Sequence, residues 1–259
     1  MNLQHELEKR LAATDKKILL MTHIVLGYPS FAVNREVIGR MVAAGVNCIE
    51  MQIPFSEPMA DGPVIAKACQ DSIARGTTVA DCLAFGAAMT AAHDIPFLYM
   101  TYVNIIFKYG HERFFAEARA AGIKGVIVPD MPPEMDDGEN GFWAAARANG
   151  IAPVLIFAPT TTDARMQELA GRAEGFVYCM ARRGVTGKKS DMDESALDYL
   201  RRCRAATRLP IAVGFGIQGK NDIDPLVGIA DMAVIGSKTI QLVDSEGAAA
   251  VSAFIAGLR

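Results

Sequence analysis

Apolar and polar positions follow each other in blocks along this chain. Leu3, Leu7 and Leu11 recur every four residues among charges, which predicts a short amphipathic helix covering one end of the fold. Apolar runs then lie near 18–25, 47–53, 96–100, 124–128, 152–157, 175–179, 211–214 and 232–236. Helical periodicities separate them, near 31–44, 63–75, 80–93, 110–121, 138–148, 162–171, 193–205, 220–228 and 238–257. The runs are continuously apolar rather than alternating, as parallel strands buried on both faces are. Eight strand–helix units in about 250 residues predict an α/β fold, a (β/α)8 TIM barrel with an extra N-terminal helix. No low-complexity linker interrupts 1–259, so one barrel domain is expected, with 130–140 a polar loop. A doubly wound open sheet usually has fewer units and a Gly-rich first turn, which is absent here.

Composition narrows the function classes. With 51% hydrophobic residues the chain can fill a large core, and a net charge of −3 without a basic run argues against nucleic acid or an anionic membrane as partner. Cys48, Cys69, Cys82, Cys179 and Cys203 are scattered without CxxC spacing and read as buried thiols of a reducing compartment. The charged N-terminus is not a signal peptide, and no apolar run approaches a membrane span. A cytoplasmic enzyme is expected.

In such barrels chemistry sits at the C-terminal ends of the strands. The second run emerges at Glu50, and the Pro-rich loop behind it carries Asp61 just ahead of a helix. Two carboxylates at one strand mouth form an acid/base pair, since buried acids are costly without partners or a task. Each has a structural alternative: an ion pair with a barrel-top Lys or Arg for Glu50, and a helix cap before Pro63 for Asp61. Tyr178 ends the sixth run as a rim aromatic or an acid. Gly214-Phe215-Gly216 and Gly236-Ser237 follow the last two runs, where glycines let backbone N–H groups approach a phosphate. Residues 182–190, basic and Gly-bracketed, read as a lid or a solvated loop, and Thr186 is placed to fasten a closed lid to Asp61. No second His lies at metal spacing from His23, so no metal is expected.

Phe55-Ser56-Glu57-Pro58-Met59-Ala60-Asp61-Gly62-Pro63 resembles the PFSDPxADGP signature of the tryptophan synthase alpha subunit family. Arg183-Gly184-Val185-Thr186-Gly187 resembles that family's GVTG lid, and the strand-end segments at 101–104, 129–132, 158–161, 214–217 and 236–237 match in the same order. The resemblance covers essentially the whole chain. It implies retro-aldol cleavage of indole-3-glycerol phosphate to indole and glyceraldehyde 3-phosphate in tryptophan biosynthesis. Glu50 would be the general acid/base, Asp61 the partner of the indole N–H, and Tyr178 would sit beside Glu50. Thr186, Gly187, Phe215, Gly216, Gly236 and Ser237 would bind the substrate and its phosphate, and His23, Met100 and Ile127 would line the pocket. A carboxyl group in a water-poor pocket can protonate the indole ring carbon near neutral pH, which the C–C cleavage requires.

The resemblance also implies a beta subunit partner in an alpha-beta-beta-alpha complex, contacted through Glu57, Pro58, Asn104 and Pro132. Pyridoxal phosphate would belong to that partner, with no cofactor in this chain. Gln52 stands where the family usually has Gly, Glu57 where it has Asp, and His23 where an aromatic is common. A weakly catalytic subunit that binds the ligand and activates a beta partner is the competing reading; the presence of both Glu50 and Asp61 favours the lyase. A different phosphosugar enzyme on the same barrel would need another base or metal set, which the sequence lacks.

Overall fold

The computed structural model describes residues 2–14, 17–135, 141–180, 194–214 and 216–258. The chain runs α1 (Leu3–Ala13), β1 (Leu19–Val25), α2 (Phe31–Ala43), β2 (Cys48–Gln52), α3 (Pro63–Ala74), α4 (Val79–Ala92), β3 (Phe97–Met100), α5 (Val103–Tyr109) and α6 (His111–Ala120). It continues through β4 (Gly125–Ile127), α7 (Phe142–Ala148), β5 (Ala152–Phe157), α8 (Asp163–Ala170), β6 (Val177–Met180), α9 (Glu194–Ala206), β7 (Ile211–Gly214), α10 (Lys220–Ile223), β8 (Met232–Ile235), α11 (Ser237–Glu246) and α12 (Ala248–Gly257). All eight strands are parallel, and β8 pairs with β1 to close the barrel. The eightfold repeat read from the hydrophobic pattern is therefore the observed architecture.

Two apolar layers hold it together. Outward-facing strand residues such as Ile49, Tyr99, Val126 and Val213 pack with buried helix residues such as Met41, Phe114, Trp143 and Leu200. Inward-facing residues, among them Leu19, Met21, Cys48, Leu98, Val154 and Ala212, fill the barrel interior together with Leu3 and Leu7. The fourfold Leu spacing of α1 thus closes the N-terminal end of the barrel, and Leu11 packs at its margin. Burying each of Leu3 and Leu7 contributes roughly 1.5–3 kcal/mol relative to leaving it in water. Strand β1 is buried along its whole length, whereas Tyr178 and Met180 of β6 are only half-buried because they face the open C-terminal mouth.

The structure departs from the periodicity in three places. The expected helix over 220–228 is the short α10 followed by a 3-10 turn over Asp224–Leu226, because Pro225 has no N–H to continue the helical ladder. The expected helix over 238–257 is two helices, α11 and α12, that break at Gly247, where φ is +82°. Helix α5 was absent from the pattern: its outward side carries an apolar residue, Phe107, so the amphipathic signal vanishes. Among the described residues no helix is long and apolar enough to cross a membrane.

Candidate active site

The C-terminal mouth of the barrel opens into a cleft of about 860 Å³, counting its open entrance. His23, Glu50, Asp61, Met100, Ile127, Tyr178, Gly216, Gly236 and Ser237 all line it. The sequence-derived site residues within the described part thus converge on one cavity. Thr186, Gly187 and Phe215, and with them the lid segment 182–190, lie outside the described residues.

Strand alternation points Glu50 and Gln52 of β2 inward, and parallel register sets His23 of β1 directly beside Glu50. His23 Nδ1 lies 3.3 Å from Glu50 Oε1, and each residue is only 4% exposed. The ion pair suggested for Glu50 is therefore with a histidine; among the described residues no Lys or Arg reaches it. The second oxygen, Glu50 Oε2, is buried and has no hydrogen-bond partner among them. Burial favours neutral His23, yet Glu50, and after it Asp61 and Gln52, outweigh that effect and hold the imidazole above its ordinary pKa.

Asp61 does not cap α3. Gly62 occupies the N-cap position without a side-chain bond, and Pro63 begins the helix. The carboxylate turns into the cavity instead. Gln52 Nε2 donates to Asp61 Oδ2 at 2.7 Å, and Tyr102 Oη donates to the same oxygen at 2.9 Å. Each bond to a charged acceptor is worth about 1.5–3 kcal/mol. Burial is nevertheless the dominant influence and raises the Asp61 pKa, against the opposing pull of His23, Gln52 and Tyr102. Tyr102 was missed as a site residue, although the sequence marked its strand end. Its ring stacks on Phe55 with centroids 5.0 Å apart, and its hydroxyl accepts from Ala60 N, so it fixes the whole loop that delivers Asp61.

Tyr178 stands at the end of β6. Burial first, then the Glu50 and Asp61 charges, pushes its phenol well above the ordinary tyrosine value, so the hydroxyl stays neutral. A Cβ at Gly214 would lie 2.5 Å from the Tyr178 hydroxyl. A side chain at that position would collide with the tyrosine beside it.

The two glycine loops also differ at the helices they begin. Ahead of α10, the Asp222 carboxylate accepts from Gln218 N and Gly219 N at 2.7 and 3.0 Å, so these two loop N–H groups are already taken. The start of α11 has no side-chain cap, and Gly236 and Ser237 there face the cleft. A Cβ on Gly236 would meet only one side-chain atom, Ile65 Cδ1, at 3.9 Å. Uncapped N–H groups and the positive end of the helix dipole suit an anion at this point. Thr239 anchors this helix start to the strand that carries His23, donating to Gly236 O and to His23 O.

Comparison with known proteins extends the agreement over the whole length. A family profile described as "Tryptophan synthase alpha chain" matches residues 10–255. The tryptophan synthase alpha chain of Desulfotalea psychrophila is 65% identical over 245 residues, spanning 95% of each chain. A Mycobacterium tuberculosis tryptophan synthase structure superposes with a TM-score of 0.89 at 28% identity, covering 99% of this chain and 96% of that one. A chain of the tryptophan synthase complex from Pyrococcus furiosus superposes with a TM-score of 0.83 at 27% identity, covering 93% of this chain and 97% of that one. The chain thus belongs to the tryptophan synthase alpha chain family, the carbon–carbon lyases that cleave indole-3-glycerol phosphate in tryptophan biosynthesis.

Proposed function

We propose that Glu50 moves the protons of this cleavage and that Asp61 stabilises the charge it creates. The carboxylic acid form of Glu50 protonates the indole ring carbon that bears the side chain. Asp61 accepts a hydrogen bond from the ring N–H as positive charge spreads over the indole. The Glu50 carboxylate then takes the proton of the hydroxyl on the adjacent carbon. The C–C bond breaks, its electrons return to the indole, and glyceraldehyde 3-phosphate leaves as the aldehyde. Neutral Tyr178 bounds the reacting end. Gly216, Gly236 and Ser237 hold the phosphate, together with Phe215 and with Thr186 and Gly187 of the lid. His23, Met100 and Ile127 line the indole pocket. The observation that carries this reading is the convergence of two inward carboxylates and an uncapped helix start on one cleft. General acid/base chemistry of this kind needs no cofactor in the chain.

The partner in this reading is a beta subunit, in an alpha-beta-beta-alpha complex, which brings its own pyridoxal phosphate. Glu57, Asn104 and Pro132 are exposed, as a contact surface requires, while Pro58 is buried within the chain. The outward apolar groups beside them are Met59, Phe107 and Met135, at 77%, 79% and 63% exposure. Large exposed apolar side chains near one end of a barrel suit a protein interface. The five buried, unpaired thiols support a cytoplasmic setting.

Indole release from indole-3-glycerol phosphate, measured with and without a beta subunit, tests the assignment. Wild type should release indole, and Glu50→Gln should not. A wild type that binds the substrate analogue glycerol phosphate yet releases no indole in either condition overturns the lyase and leaves a regulatory subunit.

A further inference from the structure

His23 and Glu50 form a buried pair whose geometry the reaction scheme above does not use. They are register partners on adjacent strands, and their side chains meet at 3.3 Å inside the mouth of the barrel. Each then has one atom left over, His23 Nε2 and Glu50 Oε2, buried and unpartnered among the described residues. The neighbouring carboxylate, Asp61, is held twice on one oxygen, by Gln52 and Tyr102. Among the described residues Glu50 has a single holder. Without the imidazole its carboxylate would be buried with no partner among the described residues, a costly state for an ion. The backbone that carries His23 is itself pinned, since the Thr239 hydroxyl donates to His23 O at 3.2 Å.

We propose that His23 is a positioning residue for Glu50. Its Nδ1 fixes Oε1 and turns Oε2 toward the substrate. The statement rests on Glu50 being the acid/base of the cleavage. A carboxyl group that must deliver a proton to carbon and then collect one from oxygen needs a fixed direction and access to both protonation states. A neutral imidazole donating from Nδ1 fixes the direction, and an imidazolium offsets the charge of the carboxylate. The groups facing the pair are Gln52 and Cys48 on the same strand as Glu50, Asp61 from the loop, and Tyr178 from β6. Beyond Cys48 lie Glu6 and Arg10 of α1, paired with each other. Tyr178 and Cys48 are both held neutral by burial and by the Glu50 charge.

The pair is tested by the pH profile of kcat/KM for indole release, with the beta subunit present. His23→Phe should lower kcat about 10- to 100-fold, with KM little changed, and should move the limb where the base form appears to higher pH. His23→Asn, which keeps a donor near the Nδ1 position, should recover most of kcat. Wild-type kcat with an unshifted profile in His23→Phe overturns the proposal. Should that variant fail to fold, the NMR titration of the His23 ring in wild type and in Glu50→Gln decides. The His23 titration should fall to lower pH when Glu50 is neutralised, and an unmoved titration overturns the pair. If Glu50→Gln retains full activity, the acid/base reading of Glu50 falls. If Glu50→Gln is inactive while His23→Phe is normal, only the role of His23 falls.

Discussion

The two sides of the cleft are built from different materials. On the side of β1 and β2, the cleft presents charged side chains, each held by another side chain: Glu50 by His23, and Asp61 by Gln52 and Tyr102. On the side of β7 and β8, the cleft presents backbone, at an uncapped helix start flanked by glycine. Moving a proton needs an oriented group of defined ionisation, which only supported side chains provide. Holding a phosphate needs donors and a dipole, which any helix start supplies when nothing else occupies it. The loop ahead of α10 differs: there the Asp222 carboxylate already accepts from Gln218 N and Gly219 N.

The contrast is broken most strongly by Glu50→Gln, which should lower kcat by about 10²–10⁴-fold while leaving KM nearly unchanged. Steady-state indole release checks this. Asp61→Asn should lower kcat by about 10²-fold, since it removes the negative charge facing the developing cation. Because burial raises the Asp61 pKa, the folded state binds its proton more tightly than the unfolded chain does. Ionising Asp61 therefore costs stability as pH rises through the interval between the ordinary and the folded value. Asp61→Asn should accordingly raise the melting temperature at neutral pH while impairing turnover, and an equal or lower melting temperature would contradict the burial argument.

The other side should respond in KM. Gly236→Asp places a carboxylate at the open helix start and should raise KM about tenfold or more by repelling the phosphate. An unchanged KM would remove Gly236 from the phosphate site. Tyr102→Phe is the smallest effect, about 1.5 kcal/mol or roughly tenfold in kcat/KM, because Gln52 still holds Asp61. A matching loss in stability is expected from the freed Ala60 N–H. His23 carries a separate sign: its folded pKa is raised, so its contribution to stability is full below the ordinary histidine value of about 6.5 and is lost as pH rises through the folded value. Denaturant midpoints of wild type and His23→Phe should therefore converge at alkaline pH.

Much of this was legible in the order of residues. Continuous apolar runs marked eight buried strands, the Leu3, Leu7, Leu11 spacing marked the closing helix, and Glu50 and Asp61 stood at a strand mouth where acids are costly. These are local signals, set by side-chain chemistry and backbone period, and they survive any packing arrangement. What a given polar residue touches is not local. Gln52, an unexplained substitution in the sequence, is the donor that turns Asp61 inward; Tyr102, 41 positions from Asp61, is its second donor. That Tyr178 fills the space beside Gly214 is likewise visible only once β6 and β7 are paired. Helix α5 escaped because its outward apolar face breaks the period by which helices are recognised. The sequence by itself thus determined the barrel, its acids and its glycine loops. Tertiary structure alone decided which acid is held by which neighbour and which helix start faces the cleft, because hydrogen bonds and burial depend on contacts made only when distant strands close the ring.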